Sequence, residues 1–254
     1  LSSGALRLAA RAQMEGEQGL RFGADVLLEN VQGRQNGQPL SLSKPVRLTT
    51  AGARQGEVLS FERLALDAGF ASVTAKGTLD DLQADYAADL AAATKEIAKF
   101  IDIGKQGAAG NVKGTATVKT AGEVRTLAVQ AGIEGLSVSG VTAKPLKQDS
   151  VTVALAAALP AAGGDEIRDL NLQVKAQAVA LDVTAKRLVP GTVIEAGNVR
   201  VASDLAVLVK TLTAAGVVTN GAQAAGQLTA TLPLRMEGSQ VAVAPLALAI
   251  KDLV

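Results

Sequence analysis

The chain contains no histidine, no cysteine and no tryptophan. Without histidine it lacks the commonest general base and the commonest metal ligand. Without cysteine it has no disulfide, no thiolate nucleophile and none of the usual structural zinc sites. Aromatic residues are nearly missing too: Phe22, Phe61, Phe70, Phe100 and Tyr86 are all of them. Few aromatics and a formal net charge of +1 remove both the stacking platforms and the basic surplus of a nucleic-acid binder. No apolar run is fit to span a bilayer as a helix. The longest uncharged stretch, Thr211 to Leu234, is interrupted by Asn220, Gln223, Gln227, Pro233 and three glycines.

What remains is a 254-residue chain rich in Ala, Val, Leu, Thr and Gly. Much of it alternates apolar and polar residues with period two, broken by turn residues at short intervals. That pattern argues for an all-β architecture. Strands are expected at 5–9, 20–31, 40–50, 58–66 and 70–79, with Asn36-Gly37 as a hairpin signal. Further strands are expected at 112–118, 124–133, 136–142, 151–159, 167–178, 224–234 and 241–253. Two short helices interrupt them. The first is expected at about 89–101, capped by Asp89, with Leu90, Ile97 and Ile101 near one face and Gly104 as its stop. The second is expected at about 204–214, with Leu205, Leu208, Val209 and Leu212 at helical spacing and Gly216 as its end.

The two helical stretches belong to a longer self-similarity. Asp89-Leu-Ala and Asp204-Leu-Ala each open a helix, reach a glycine and lead into a strand carrying Thr-Ala-Thr. Val73-Thr-Ala-Lys76 recurs as Val183-Thr-Ala-Lys186, Leu64 pairs with Leu170, and Gly122 with Gly238. The offsets grow stepwise along the chain, as a duplication with a few insertions requires. The expected division is 1–35, the end of a preceding unit; 36–140, a first repeat; and 141–254, a second. The two ends read as those of a segment of a longer protein.

Candidate chemistry is sparse. Asp80-Asp81 and Asp165-Glu166 are adjacent acids in expected turns, and strand neighbours point to opposite faces. They read as solvated turns. Gly104-Lys105-Gln-Gly107-Ala-Ala-Gly110 resembles a phosphate loop loosely, but it follows a helix and precedes a strand, which is the wrong context. No catalytic, cofactor-binding or metal-ligating residue is assigned. Long strands with aliphatic residues on one face must bury that face, either in a closed sandwich or solenoid core or against something apolar on an open sheet. The scarcity of core-filling aromatics leans toward the open form.

The run Val73-Thr-Ala-Lys76-Gly77-Thr-Leu79-Asp80-Asp-Leu82, then Asp89-Leu90, Gly110 to Val118 and Leu127 to Gly140, resembles the AsmA/TamB-like bacterial envelope proteins. The match recurs through Asp204-Leu205 and Gly226, but Arg187 stands where the first copy has Gly77. The resemblance implies an elongated, curved β-groove of stacked repeats that conducts phospholipids between inner and outer membranes. It also implies a periplasmic location, an anchor in the inner membrane, membrane components and further repeat units as partners, and no enzymatic activity. On this basis the expected lining of an acyl-chain groove is Leu64, Leu66, Val73, Val151, Val153, Leu170, Leu172, Val174, Val241 and Val243. The alternative is a structural or adhesive β-repeat of a large surface protein, with a dry interior.

Overall fold

Period-two alternation becomes a meander of antiparallel strands in the computed structural model, which describes residues 3–16, 19–35, 38–219 and 221–253. The strands are β1 (Ser3–Glu15), β2 (Gly19–Gln35), β3 (Gln38–Ser41), β4 (Val46–Gln55), β5 (Val58–Asp67), β6 (Ala71–Thr78) and β7 (Asp81–Asp89). Helix α1 (Leu90–Ile97) and β8 (Gly107–Ala121) follow. Then come β9 (Val124–Ser139), β10 (Leu146–Pro160), β11 (Ile167–Ala176), β12 (Val179–Val189) and β13 (Val193–Asp204). Helix α2 (Leu205–Ala214), β14 (Gln227–Glu237), β15 (Gln240–Val243) and β16 (Ala247–Lys251) complete the chain.

Two compact units divide it, residues 1–118 and 119–254. In the first, the strand order is β1-β2-β4-β5-β6-β7-β8, with β3 also on β2. In the second it is β9-β10-β11-β12-β13-β14-β15, with β16 also on β14. Neighbours in sequence are therefore neighbours in the sheet, and neither set of strands closes into a barrel. Among the described residues no helix is long and apolar enough to cross a membrane.

The internal repeat holds at the level of individual pairs. Strands β4 to β7, α1, β8 and β9 recur in order as β10 to β13, α2, β14 and β15. Leu64 lies opposite Ala75 and Leu66 opposite Val73; in the second copy Leu170 lies opposite Ala185 and Leu172 opposite Val183. The register of β5 shifts between Phe61 and Leu64, and that of β11 against β10 shifts at the corresponding place, where Asp169 has φ 49°. An extra residue bends a strand and raises its twist, so both copies bend at the same point.

Each helix starts the same way. The Asp89 carboxylate accepts from the Ala92 N–H at 3.0 Å, and Asp204 accepts from the Val207 N–H at 3.1 Å. Their ends differ. Helix α2 stops at Gly216, whose φ of +73° suits a residue without Cβ. The Val217 N–H donates to Leu212 O and the Gly216 N–H to Thr213 O, a paired closure of the last turn. Helix α1 ends at Ile97, four residues before the expected Ile101, and Gly104 lies beyond it in a separate turn. Ile97 and Ile101 are exposed, whereas Glu96 is buried and Leu90 half-buried, so the expected apolar face of α1 is open at its C-terminal half.

Other strand boundaries also differ from expectation. The expected strand 40–50 is broken at 42–45, where Pro45 has no N–H to give a ladder. The strands expected at 124–133 and 136–142 are one, β9, which runs through Gly135 at φ +62°. Strands β7 and β13 were not expected, and β12 was foreshadowed only by the match of Val183-Thr-Ala-Lys186 to residues 73–76. The turn at Asn36-Gly37 lies outside the described residues.

Removing a cap tests this account of the helices. Asp204→Ala should lower stability by about 1 kcal/mol, with Asp204→Asn much closer to wild type. The urea midpoint followed by circular dichroism measures both.

Candidate functional site

Residues directly opposite across a ladder share a face, so the register fixes which side chains lie together. In the first unit one row runs Leu8, Val26, Leu48, Leu66, Val73 and Tyr86 over six strands. The next row, on the other face, runs Ala9, Asp25, Thr49, Ala65, Thr74 and Asp85. The second unit repeats the contrast. Val129, Leu155, Leu172, Val183, Val199 and Leu232 form one row, and Gln130, Ala154, Gln173, Asp182, Arg200 and Thr231 the next. Each unit thus has one aliphatic face and one polar face.

Charges on the polar face of the first unit pair with one another. Arg47 Nε donates to Asp25 Oδ2 at 3.0 Å, and Arg7 Nε lies 2.9 Å from Glu29 Oε2. The Arg47 guanidinium holds the Asp25 carboxyl below the usual carboxylate range. In the second unit Glu166 joins Arg168 and Arg187, and those hydrogen bonds, Arg168 first, lower its carboxyl likewise. This acid, one of the pair read as a solvated turn, is tied to two arginines.

Among the described residues no second layer covers the aliphatic faces. No large side chain is fully buried among the described residues. Leu8 is 66% exposed and Leu66 40%; in the second unit Val241 is 60% and Leu248 59% exposed. The accessible surface is 16173 Å². Two separate compact domains, each half of 25.7 kDa, would expose only about 12,600 Å² together. The excess belongs to sheet left open rather than folded over a core.

The ten expected lining residues fall on these aliphatic faces. Leu64, Leu66 and Val73 share the face of the first unit. Val153 lies opposite Val174, Leu170 opposite Ala185, and Leu172 sits in the row given above. Val241 faces Met236 and Val243 faces Leu234, both in phase with Leu232. Val151 shares the face but is buried, so it offers little surface. The expectation omitted the rest of each row, including Leu8, Val26, Tyr86 and Val199. Phe22 and Phe61 also lie on the aliphatic face, edge to face at 6.2 Å, meeting across Gly52. A Cβ at Gly52 would collide with the Ser60 backbone oxygen and come within 2.8 Å of the Phe22 ring, so the close approach of β5 requires glycine there.

Each helix sits at a corner of its unit. Glu96 of α1 reaches the break between β3 and β4, where its Oε2 accepts from the Ser43 N–H at 3.2 Å. Lys99 Nζ donates to Glu96, to Ser43 Oγ at 2.6 Å and to Ser41 O at 3.0 Å. Burial pushes the Glu96 carboxyl up, but its bonds to Ser43 and Lys99 together outweigh that and leave it lowered. A small cavity of about 190 Å³ remains beside it. The matching corner of the second unit holds a cavity of about 830 Å³ between α2, the start of β10 and Gln177.

Among the described residues no group of three or more Asp and Glu is placed to hold a metal. Comparison with protein-family models, curated proteins and solved structures gives no match.

Two outcomes are expected here. A carboxyl lowered in the folded state stabilises it above the unfolded pKa, and the contribution is lost as pH falls through the folded one. Between pH 6 and 3 the wild type should therefore lose more stability than Glu96→Gln, as measured by urea midpoints across that range. Separately, the native chain should enhance the fluorescence of an apolar-surface dye, and Leu66→Asn with Leu172→Asn should reduce it while Ala65→Asn with Gln173→Asn leaves it unchanged.

Proposed function

We propose that the chain is a non-enzymatic carrier surface for lipid acyl chains, with the aliphatic sheet faces as the binding surface. The observation that carries this reading is a continuous apolar row over six strands in each unit, aliphatic but for Tyr86, with no layer packed on it among the described residues. Five strand spacings of about 4.8 Å make such a row about 24 Å long. An acyl chain occupies about 15 Å, half the hydrocarbon core of a bilayer. Each methylene moved from water onto the face gains about 0.8 kcal/mol at full burial. Along the row the lining is nearly all Val and Leu, with the Tyr86 hydroxyl at one end of the first unit's row as its one polar group, which suits a chain that slides rather than one captured at a fixed point.

The same reading accommodates the resemblance to AsmA/TamB-like proteins, and with it transfer of phospholipid between the membranes of a bacterial envelope, in a periplasmic setting beside further repeat units and membrane components. Exposed aliphatic surface disfavours the structural-repeat alternative, which needs a dry, closed interior.

Photo-crosslinking tests it. A photoreactive residue at Leu172 points to the aliphatic face and one at Gln173 to the polar face. Lipid adducts at 172 and not at 173 are expected in phospholipid-containing membranes or cells. Crosslinks at 172 that join only protein, with lipid at neither site, would sink the proposal and favour the structural repeat.

A further inference from the structure

The two helix corners are the same place in two copies of the repeat, but their chemistry has diverged. Counting from the capping aspartates Asp89 and Asp204, Lys95 corresponds to Lys210, Glu96 to Thr211 and Lys99 to Ala214. In the first unit the Glu96 carboxylate fills the corner. It is buried, it accepts a backbone N–H from the loop before β4, and Lys99 bridges it to that loop. An anion thus closes this corner from within the chain. In the second unit the carboxylate is gone, and a neutral hydroxyl stands in its place.

The cationic side of the second corner is not gone. Lys144, Lys147 and Lys210 line the cavity together with Val207, Thr211 and Ala215. Among the described residues none of the three ammonium groups has a hydrogen-bond or ion-pair partner. The one acid at the wall, Asp149, accepts instead from Gln177 Nε2 at 2.8 Å. The C-terminal end of α2 attracts cations, but its dipole amounts to about half a charge. Three lysines and a half-charge leave the corner positive even with Asp149 counted. Such a cavity, with three lysines and the apolar flank of α2 in its wall, suits an anion bearing several acceptor oxygens.

We infer that the corner between α2 and the start of β10 is a binding site for a phosphate-bearing anion, held by Lys144, Lys147 and Lys210 in the place that Glu96 occupies in the other repeat. The site lies at the end of the second unit's aliphatic face, where Lys147 and Asp149 alternate with Val151 along β10, and it stands whether or not that face carries acyl chains. The phosphate can come from a lipid headgroup or from a free anion.

The test uses two probes, inorganic phosphate followed by calorimetry and sedimenting vesicles of phosphatidylcholine with or without phosphatidylglycerol. The variant K144Q/K147Q/K210Q should weaken binding at least about tenfold. A variant of equal charge change at the opposite strand ends, K119Q/K186Q/R235Q, should stay within about twofold of wild type, since charges far from the bound anion are screened. Thr211→Glu, which restores the internal carboxylate, should abolish binding with the circular dichroism spectrum unchanged. Binding of phosphate alone identifies a free anion, and binding only to the phosphatidylglycerol vesicles identifies a headgroup; both support the site. It is overturned if neither probe binds, if the two triple variants lose binding equally, or if Thr211→Glu binds as wild type does. Crosslinking at Leu172 reads the aliphatic face alone, so failure of one proposal is visible apart from failure of the other.

Discussion

Ladder hydrogen bonding between sequence-adjacent strands is what everything else in this protein rests on. Most globular folds lean on a closed core, and here there is none: no large side chain is fully buried among the described residues. What fixes each strand is its register with the two beside it. That register also sorts the side chains, because a slip of one residue would exchange the aliphatic and polar faces. The order of the strands and the sorting of the two faces therefore hang on the same constraint.

The architecture was legible because alternation in β5, β11 and β14 is strong and carried by Leu and Val. Strand β7 escaped because its apolar face is largely alanine, Ala84 and Ala88 around Tyr86, and alanine gives little contrast with its neighbours. Strand β13 escaped for another reason: Ala196 at φ 48° and the register shift between Ile194 and Gly197 break its period. The expected gap between residues 133 and 136 falls at Gly135, yet a strand can carry a glycine at positive φ as an irregularity. Pro45 should have signalled the break before β4. The helix corners were not legible at all. Nothing in the sequence singles out Glu96, and only the fold brings it to Ser43, fifty-three residues back in sequence.

The two copies show what a repeat conserves within one chain and what it releases. The pairs Leu64–Ala75 and Leu170–Ala185, the shared bend, and the capping aspartates are retained because each repairs a local geometric need. The helix ends have drifted apart, one clamped by a carboxylate and a lysine, the other closed by Gly216 beside an open cavity. Divergence at corners leaves the faces untouched, so one repeat can acquire its own chemistry without disturbing the surface both share.

The meander has a kinetic side. Because each strand pairs with the one just before it, nearly every contact closes a short loop, and loop-closure entropy is small at every step. The chain can assemble by zipping, each arriving strand finding its template already in place. By the same logic it can come apart from either end one strand at a time. Its resistance to heat or denaturant should then behave as a series of linked local equilibria, in which a single melting temperature describes an average rather than an event.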